Sequence, residues 1–348
     1  MNPTDGPAVP PREQRWGGIL LALAAYLLLS QLFFAFLPIA ETIVLLIPSL
    51  AACFLAGWWG GGRFILAALW IGLATWGLTR PPAAHAASAY NDVTRSWALL
   101  TAGTFGLVSL VAPAQRFFGR ALAAGSLALL LGFIMLLVTR GTPEQVQRVF
   151  VNEYARKTNL YAMAADAQVS LSAAREGAEK TATVRKALEG LVVQAHQWSK
   201  SAAPLYPALL ILESLAAYGL AWGLYHRLSR TRIGPALSPL REFRFNDQMV
   251  WGFVAGTFIV LLPQLSLLGA VGWNLLVLFG AVYALRGFGI ISWLINRVWM
   301  GGRVANILAI IGLVLLAPVV APAALLSALG LGVMDTWIDW RARARPIS

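Results

Sequence analysis

Long apolar runs separated by short polar turns constrain this chain more than any other feature. The 348 residues are 58% hydrophobic and 12% charged, whereas about a quarter of the residues of a soluble domain are charged. Several runs approach the roughly 20 apolar residues that a helix needs to cross the hydrocarbon core of a bilayer. The sequence therefore predicts an all-α fold, a polytopic integral membrane helical bundle.

About ten transmembrane spans are expected from these runs. The last two are divided at Pro318 and Pro322, because proline lacks the N–H group that a continuous helix needs. The predicted spans are residues 16–37, 39–57, 64–79, 96–112, 119–138, 204–225, 249–270, 273–296, 304–319 and 323–340.

A long polar segment interrupts the spans and predicts an extracytoplasmic insertion. Within it, Thr142, Pro143 and Gln145 have the spacing of a capping box, in which threonine and glutamine satisfy free N–H groups at a helix start. Apolar residues then recur at helical spacing, which indicates amphipathic helices and a helical hairpin. The predicted organisation is a cytoplasmic tail (1–15), spans one to five (16–138), an extracytoplasmic amphipathic helical segment (139–203), spans six to ten (204–340) and a cytoplasmic basic tail (341–348).

Arginine placement predicts the orientation of the chain. If the N-terminus is inside, almost all arginines of the short turns lie on the cytoplasmic side, which is the positive-inside pattern. The exceptions are Arg80 and Arg95, between spans three and four. The net charge of +12 is thus assigned to topology and not to nucleic-acid binding. We expect a multi-pass protein of the bacterial cytoplasmic (inner) membrane, with both termini in the cytoplasm.

Residues that usually carry enzyme chemistry are sparse. Cys53 is the single cysteine and lies in an apolar run, which excludes an internal disulfide and a cysteine-based metal cluster. His85, His196 and His226 lie outside the predicted spans and are expected to be solvated. No Walker loop, HExxH or GxSxG motif is present in the sequence. We therefore predict no catalytic, cofactor-binding or metal-binding residues, no cofactor and no enzymatic activity.

Charged residues inside the predicted spans are the candidate site, because charges are costly in lipid and usually face a partner or a cavity. Counting 1.5 Å per residue, Glu213 lies about 14 Å and Arg286 about 20 Å below the outer face, and Asp335 about 8 Å from the inner one. Arg286 is expected within about 4–5 Å of Glu213 or Asp335, the range of a direct ion pair. A structural ion pair is favoured over a site that lines a polar cavity.

The end of the last span has a dense pattern of polar and aromatic residues. Asp335 and Asp339 are four residues apart and share one helix face. Trp337 suits the headgroup belt, and Arg341 begins the basic cluster that sets orientation. We interpret this stretch as the cytoplasmic end of a helix, in which Asp335 is the deeper carboxylate.

Three stretches carry a resemblance to a known family. They are "LREFRFNDQMVWGF" (240–253), "YALRGFGIISWLI" (283–295) and "LGVMDTWIDWRAR" (331–343). In these stretches the chain resembles the YybS-like predicted membrane proteins, a bacterial family of unknown function. Where the family pattern has Gln-Gly, this chain has Arg286-Gly287.

That family is grouped by remote similarity with the substrate-binding membrane subunits of energy-coupling-factor vitamin transporters. The resemblance implies a helical bundle that binds a small ligand near the outer face and works with a membrane protein partner. We therefore expect a small-molecule binding or transport-related protein in the lipid bilayer. The alternative is a non-enzymatic membrane scaffold or assembly factor, and a polar cavity among the spans favours the first hypothesis.

Overall fold

A computed structural model describes residues 16–32, 37–39, 41–81, 88–176, 178–298, 317–338 and 340. Among these residues the regular elements are helices. The chain divides into two compact units, Met1–Leu237 and Ser238–Ser348.

The described residues of the first unit form eight α-helices. They are α1 (Gly17–Leu32), α2 (Ile43–Trp59), α3 (Phe64–Thr79), α4 (Ser88–Val111), α5 (Phe117–Val138), α6 (Pro143–Glu176), α7 (Ala178–Ala202) and α8 (Tyr206–Leu228).

The core of the first unit surrounds α8. This helix packs against α1, α2 and α5, and α2 also packs against α3 and α4. Buried aromatic rings fill the space between α4 and α8, where Phe105 stacks on Tyr218 at 4.4 Å and meets Trp222 edge-on at 6.0 Å. Such pairs stabilise a core beyond the apolar area that they bury. The core therefore holds α2 and α4, which contribute to the walls of the cavity described below, against α8.

The predicted helical hairpin is present as α6 packed against α7. The capping box is confirmed, because the Thr142 N–H donates to Gln145 Oε1 at 2.9 Å and the Gln145 N–H donates to Thr142 Oγ1 at 3.3 Å. The hairpin joins the helical core at its base, where Phe150 is buried and stacks on Tyr206 at 5.2 Å.

The second unit contains α9 (Val250–Leu261), α10 (Gly269–Val298) and α11 (Ala317–Ile338). The predicted span 249–270 is divided, because α9 ends at Leu261 and a 3₁₀ turn at Pro263–Leu268 leads into α10. Pro263 has no N–H group with which to continue α9.

The prediction that Pro318 and Pro322 lie in a break between two helices is wrong in its position. The helix α11 begins at Ala317 and continues through both prolines. Pro318 lies in the first turn, where N–H groups have no partner within the helix, and Pro322 removes only one intrahelical bond. Most of the predicted span 304–319 lies outside the described residues.

Three described stretches are long and apolar enough to cross a membrane, namely Phe117–Val138, Lys200–Leu228 and Pro263–Leu294. The shorter apolar helices are Gly17–Leu28, Ile43–Trp59, Phe64–Thr79, Asp247–Leu261 and Ala323–Ile338.

The expectation that His226 is solvated is wrong. Its side chain is 1% exposed at the end of α8. One ring nitrogen of His226 lies 3.1 Å from the carbonyl oxygen of Trp222 on the same helix. The chain after α8 folds back, so that the other ring nitrogen lies 3.3 Å from the Gly234 carbonyl oxygen. Gly234 has a φ of +68°, a left-handed conformation that glycine adopts without strain.

Candidate functional site

The structure places Arg286 against Asp335 in the second unit. Arg286 Nε donates to Asp335 Oδ2 at 2.9 Å, and Nη2 donates to the Asp335 carbonyl oxygen at 3.1 Å. Both residues are 2% exposed. The contact ties the middle of α10 to the last turns of α11.

Asp247, which was not among the predicted site residues, is a second carboxylate that binds Arg286. Arg286 Nη1 donates to Asp247 Oδ1 at 2.6 Å, and the Phe245 ring centroid lies 5.3 Å from the guanidinium carbon. Asp247, Arg286 and Asp335 come one each from the three stretches 240–253, 283–295 and 331–343. These stretches therefore meet at one ion cluster.

Close packing of α10 and α11 positions this cluster. A Cβ atom at Gly287 would overlap the Ala328 carbonyl oxygen, and one at Gly332 would overlap the Tyr283 carbonyl oxygen. Glycine at both positions lets the two backbones approach, as small residues do between membrane helices.

All three nitrogens of the Arg286 guanidinium donate hydrogen bonds to the protein, so the cluster is well suited to hold helices together. Trp337 is 67% exposed on the same helix. Asp339 and Arg341, the other members of the predicted helix-end motif, lie outside the described residues.

Glu213, the third predicted site residue, belongs to the first unit. It is 4% exposed in α8, and its Oε2 accepts a hydrogen bond from the Ile39 N–H at 3.2 Å. Its Oε1 atom has no hydrogen-bond partner among the described residues. Buried polar atoms without a partner are uncommon and costly.

Lys157 on α6 is a buried base in the same unit that the sequence analysis did not identify. It is 7% exposed, and its Nζ atom lies 5.3 Å from the Tyr90 ring centroid and 5.6 Å from that of Tyr154. Burial lowers the pKa of the Lys157 ammonium to about 8, against the opposing effect of nearby Glu153 and Glu213.

A cavity of about 580 Å³ opens beside these two buried residues. Its walls come from the end of α1, the start of α2, the end of α3 and the start of α4, and they include Ile39 and Tyr90. The interior is lined by apolar side chains, with Asn91 and Thr94 among its polar residues. Ligand pockets typically have volumes of about 300–1,000 Å³ and this kind of mixed lining.

Arg80 and Arg95, the exceptions to the predicted orientation pattern, both line this cavity. The Arg80 guanidinium carbon lies 3.7 Å from the Trp76 ring centroid. Arg95 Nη2 donates to the Arg80 carbonyl oxygen, which links the end of α3 to α4. Glu41 lines the same cavity, so the described part of its wall carries two cationic side chains and one anionic side chain.

Within the described residues, no group of three or more His, Cys, Asp or Glu side chains is placed to hold a metal ion. Cys53 is buried and unpaired, as an ordinary core residue is. The geometry thus offers a cavity with cationic groups in its wall and a structural ion cluster.

The chain has apolar helices long enough to span a membrane and a cavity between helix ends. It is therefore a helical membrane protein with a cavity of ligand size. The chain belongs to the family described as "predicted membrane protein (DUF2232)", whose model matches residues 89–336. No curated protein and no solved structure matches the chain.

Proposed function

We propose that this protein binds a small molecule in the cavity between α1, α2, α3 and α4. The observation that carries the proposal is the cavity of about 580 Å³, with Arg80, Arg95, Asn91 and Thr94 in a largely apolar wall. An apolar body with a few placed polar groups is the usual composition of a ligand site. The role is binding or transport and not catalysis.

The proposed topology has ten spans, with the α6–α7 hairpin outside the cytoplasm and both termini inside. The arginine distribution supports this orientation. In that topology the cavity opens on the outer side, because Arg80 and Arg95 belong to an outer turn. The resemblance to the YybS-like proteins implies a remote relation to the substrate-binding subunits of energy-coupling-factor transporters. That relation agrees with a ligand site that opens on the outer side and with a membrane protein partner.

A cavity-filling variant tests the proposal. A Cβ atom at Gly77, which lines the cavity, would have no heavy atom within 4 Å, so a leucine side chain has room to enter the cavity. Gly72 is equally open but lies outside the cavity lining. The full chain is purified gently, and mass spectrometry identifies small molecules and proteins that accompany it.

The expected result is a bound small molecule that Gly77→Leu loses and Gly72→Leu keeps. A molecule retained equally by both variants contradicts binding in this cavity. A preparation that holds a stoichiometric protein partner and no small molecule overturns the proposal in favour of a membrane scaffold or assembly factor.

A further inference from the structure

An apolar groove along the helices adjoins the cavity. The groove has a volume of about 430 Å³ and shares the lining residues Pro48, Ala74 and Leu78 with the cavity. It lies between α2, α3 and α4, and small residues such as Ala52, Ala102 and Gly103 form much of its floor. Together, the two spaces have a polar part at the helix ends and an apolar part between the helices.

The length of the groove matches one acyl chain. On α4 it extends from Leu99 to Leu110, which at 1.5 Å per residue is about 16 Å. Half of a hydrocarbon core of about 30 Å is about 15 Å. Arg95 lies one helical turn before Leu99, so a chain that fills the groove places its headgroup beside this arginine.

The charge of the cavity wall favours an anionic headgroup. Some described arginines, namely Arg148, Arg156, Arg241 and Arg286, lie within 4.0 Å of a carboxylate oxygen, whereas others, such as Arg63 and Arg120, have no such partner among the described residues. Among the described residues, neither Arg80 nor Arg95 has such a partner, although Glu41 lines the same cavity. Each guanidinium therefore retains N–H groups that can bind a phosphate, and arginine binds phosphate oxygens in a bidentate geometry.

We propose that the occupant is an acidic lipid of the bilayer. Its phosphate binds Arg80 and Arg95, and one acyl chain lies in the groove between α2, α3 and α4. This inference rests on the proposed function, because it assigns a ligand class to the same cavity.

The test uses the full chain in nanodiscs that contain equal amounts of phosphatidylglycerol and phosphatidylcholine, followed by native mass spectrometry of retained lipids. Each arginine beside an acidic headgroup is expected to contribute about fivefold in retention. The double variant Arg80→Gln, Arg95→Gln should therefore lower phosphatidylglycerol retention about 25-fold relative to phosphatidylcholine. Arg63→Gln is the control for loss of a positive charge at the other end of α3, because Arg63 precedes α3 whereas Arg80 follows it, and it is compared with Arg80→Gln alone as well as with the double variant.

A second pair of variants tests the groove without altering charge. Gly103 lines the groove, and a Cβ atom there meets no heavy atom within 4 Å, so Gly103→Leu fills the groove without a backbone clash. This variant should lose bound lipid of both classes, whereas Gly72→Leu should keep it. Both substitutions replace glycine by leucine, so they differ only in whether the new side chain lies in the groove. They therefore test lipid binding in the groove even if the double arginine variant fails to fold.

The outcomes separate this inference from the proposed function. Equal retention of the two lipids by the wild-type protein, or equal losses in the Arg63 and Arg80/Arg95 variants, overturns the acidic-lipid assignment. A water-soluble molecule that Gly77→Leu displaces also overturns it but supports the proposed function. If no molecule depends on Gly77, Gly103, Arg80 or Arg95, both proposals are wrong.

Discussion

Asp335→Asn is expected to destabilise the second unit much more than Asp247→Asn, although both carboxylates bind Arg286. The side chain of Asp335 is 0% exposed and that of Asp247 is 58% exposed, whereas that of Arg286 is 2% exposed. Removal of one partner from a buried ion pair costs about 3–5 kcal/mol, because the other charge stays buried without compensation. An exposed pair contributes roughly 0–1 kcal/mol.

We expect a loss of about 3 kcal/mol for Asp335→Asn, because Arg286 retains Asp247 and the Asp335 carbonyl oxygen. For Asp247→Asn we expect about 1 kcal/mol or less. The difference between the two variants is therefore about 2 kcal/mol or more.

The assay is unfolding of the purified protein in detergent micelles, followed by circular dichroism, with the midpoints of the single variants compared. Arg286→Met in the Asp335→Asn background provides the decisive comparison, since it removes the buried charge that has lost its partner. It should recover part of the lost stability. Equal losses for the two single variants, or a further loss on adding Arg286→Met, would refute the reasoning.

Three further predictions concern packing, pH and capping. Gly332→Ala should lower the thermal unfolding midpoint, because its Cβ atom would overlap the Tyr283 carbonyl oxygen, whereas Gly330→Ala, which has open space, should not. Since the folded-state pKa of Lys157 is about 8 against an ordinary value of 10.5, the unfolded chain holds more protons between these values. Stability should therefore rise with pH across that window, and titration of unfolding midpoints should show that Lys157→Met removes this rise. Thr142→Ala should cost about 1 kcal/mol through loss of the α6 cap, measured as faster hydrogen exchange at the start of α6, whereas an unchanged exchange rate would contradict the cap's contribution.

Local features of the fold could be predicted from the sequence because they depend on neighbouring residues. The capping box involves residues three positions apart, and the hydrogen bonds that it forms are those expected. In contrast, the sequence alone did not predict that α9 ends near Pro263 or that α11 continues through Pro322. The effect of a proline depends on where the helix begins, and the apolar pattern does not specify that position within a turn.

The candidate functional residues could be predicted from the sequence only where a residue type is rare in its surroundings. Arg286 and Asp335 were identified because charges are rare inside apolar runs, and the structure joins them at 2.9 Å. Asp247 is 39 residues from Arg286 and lies in a polar segment, where a carboxylate is ordinary. Lys157 lies in a helix with many charged residues, so only packing distinguishes it from its solvated neighbours.

In the proposed topology, Arg80 and Arg95 depart from the positive-inside pattern. Arginine near the outer ends of spans opposes the preferred orientation, so these residues weaken the orientation signal that the remaining arginines provide. Neither forms an ion pair with a described carboxylate, so pair formation does not explain their presence. Both line one cavity, and an apolar groove adjoins it. A ligand that carries a negative charge would account for both arginines, and the paired variants at Arg63 and Arg80/Arg95 separate that explanation from a general effect of charge on the bilayer surface.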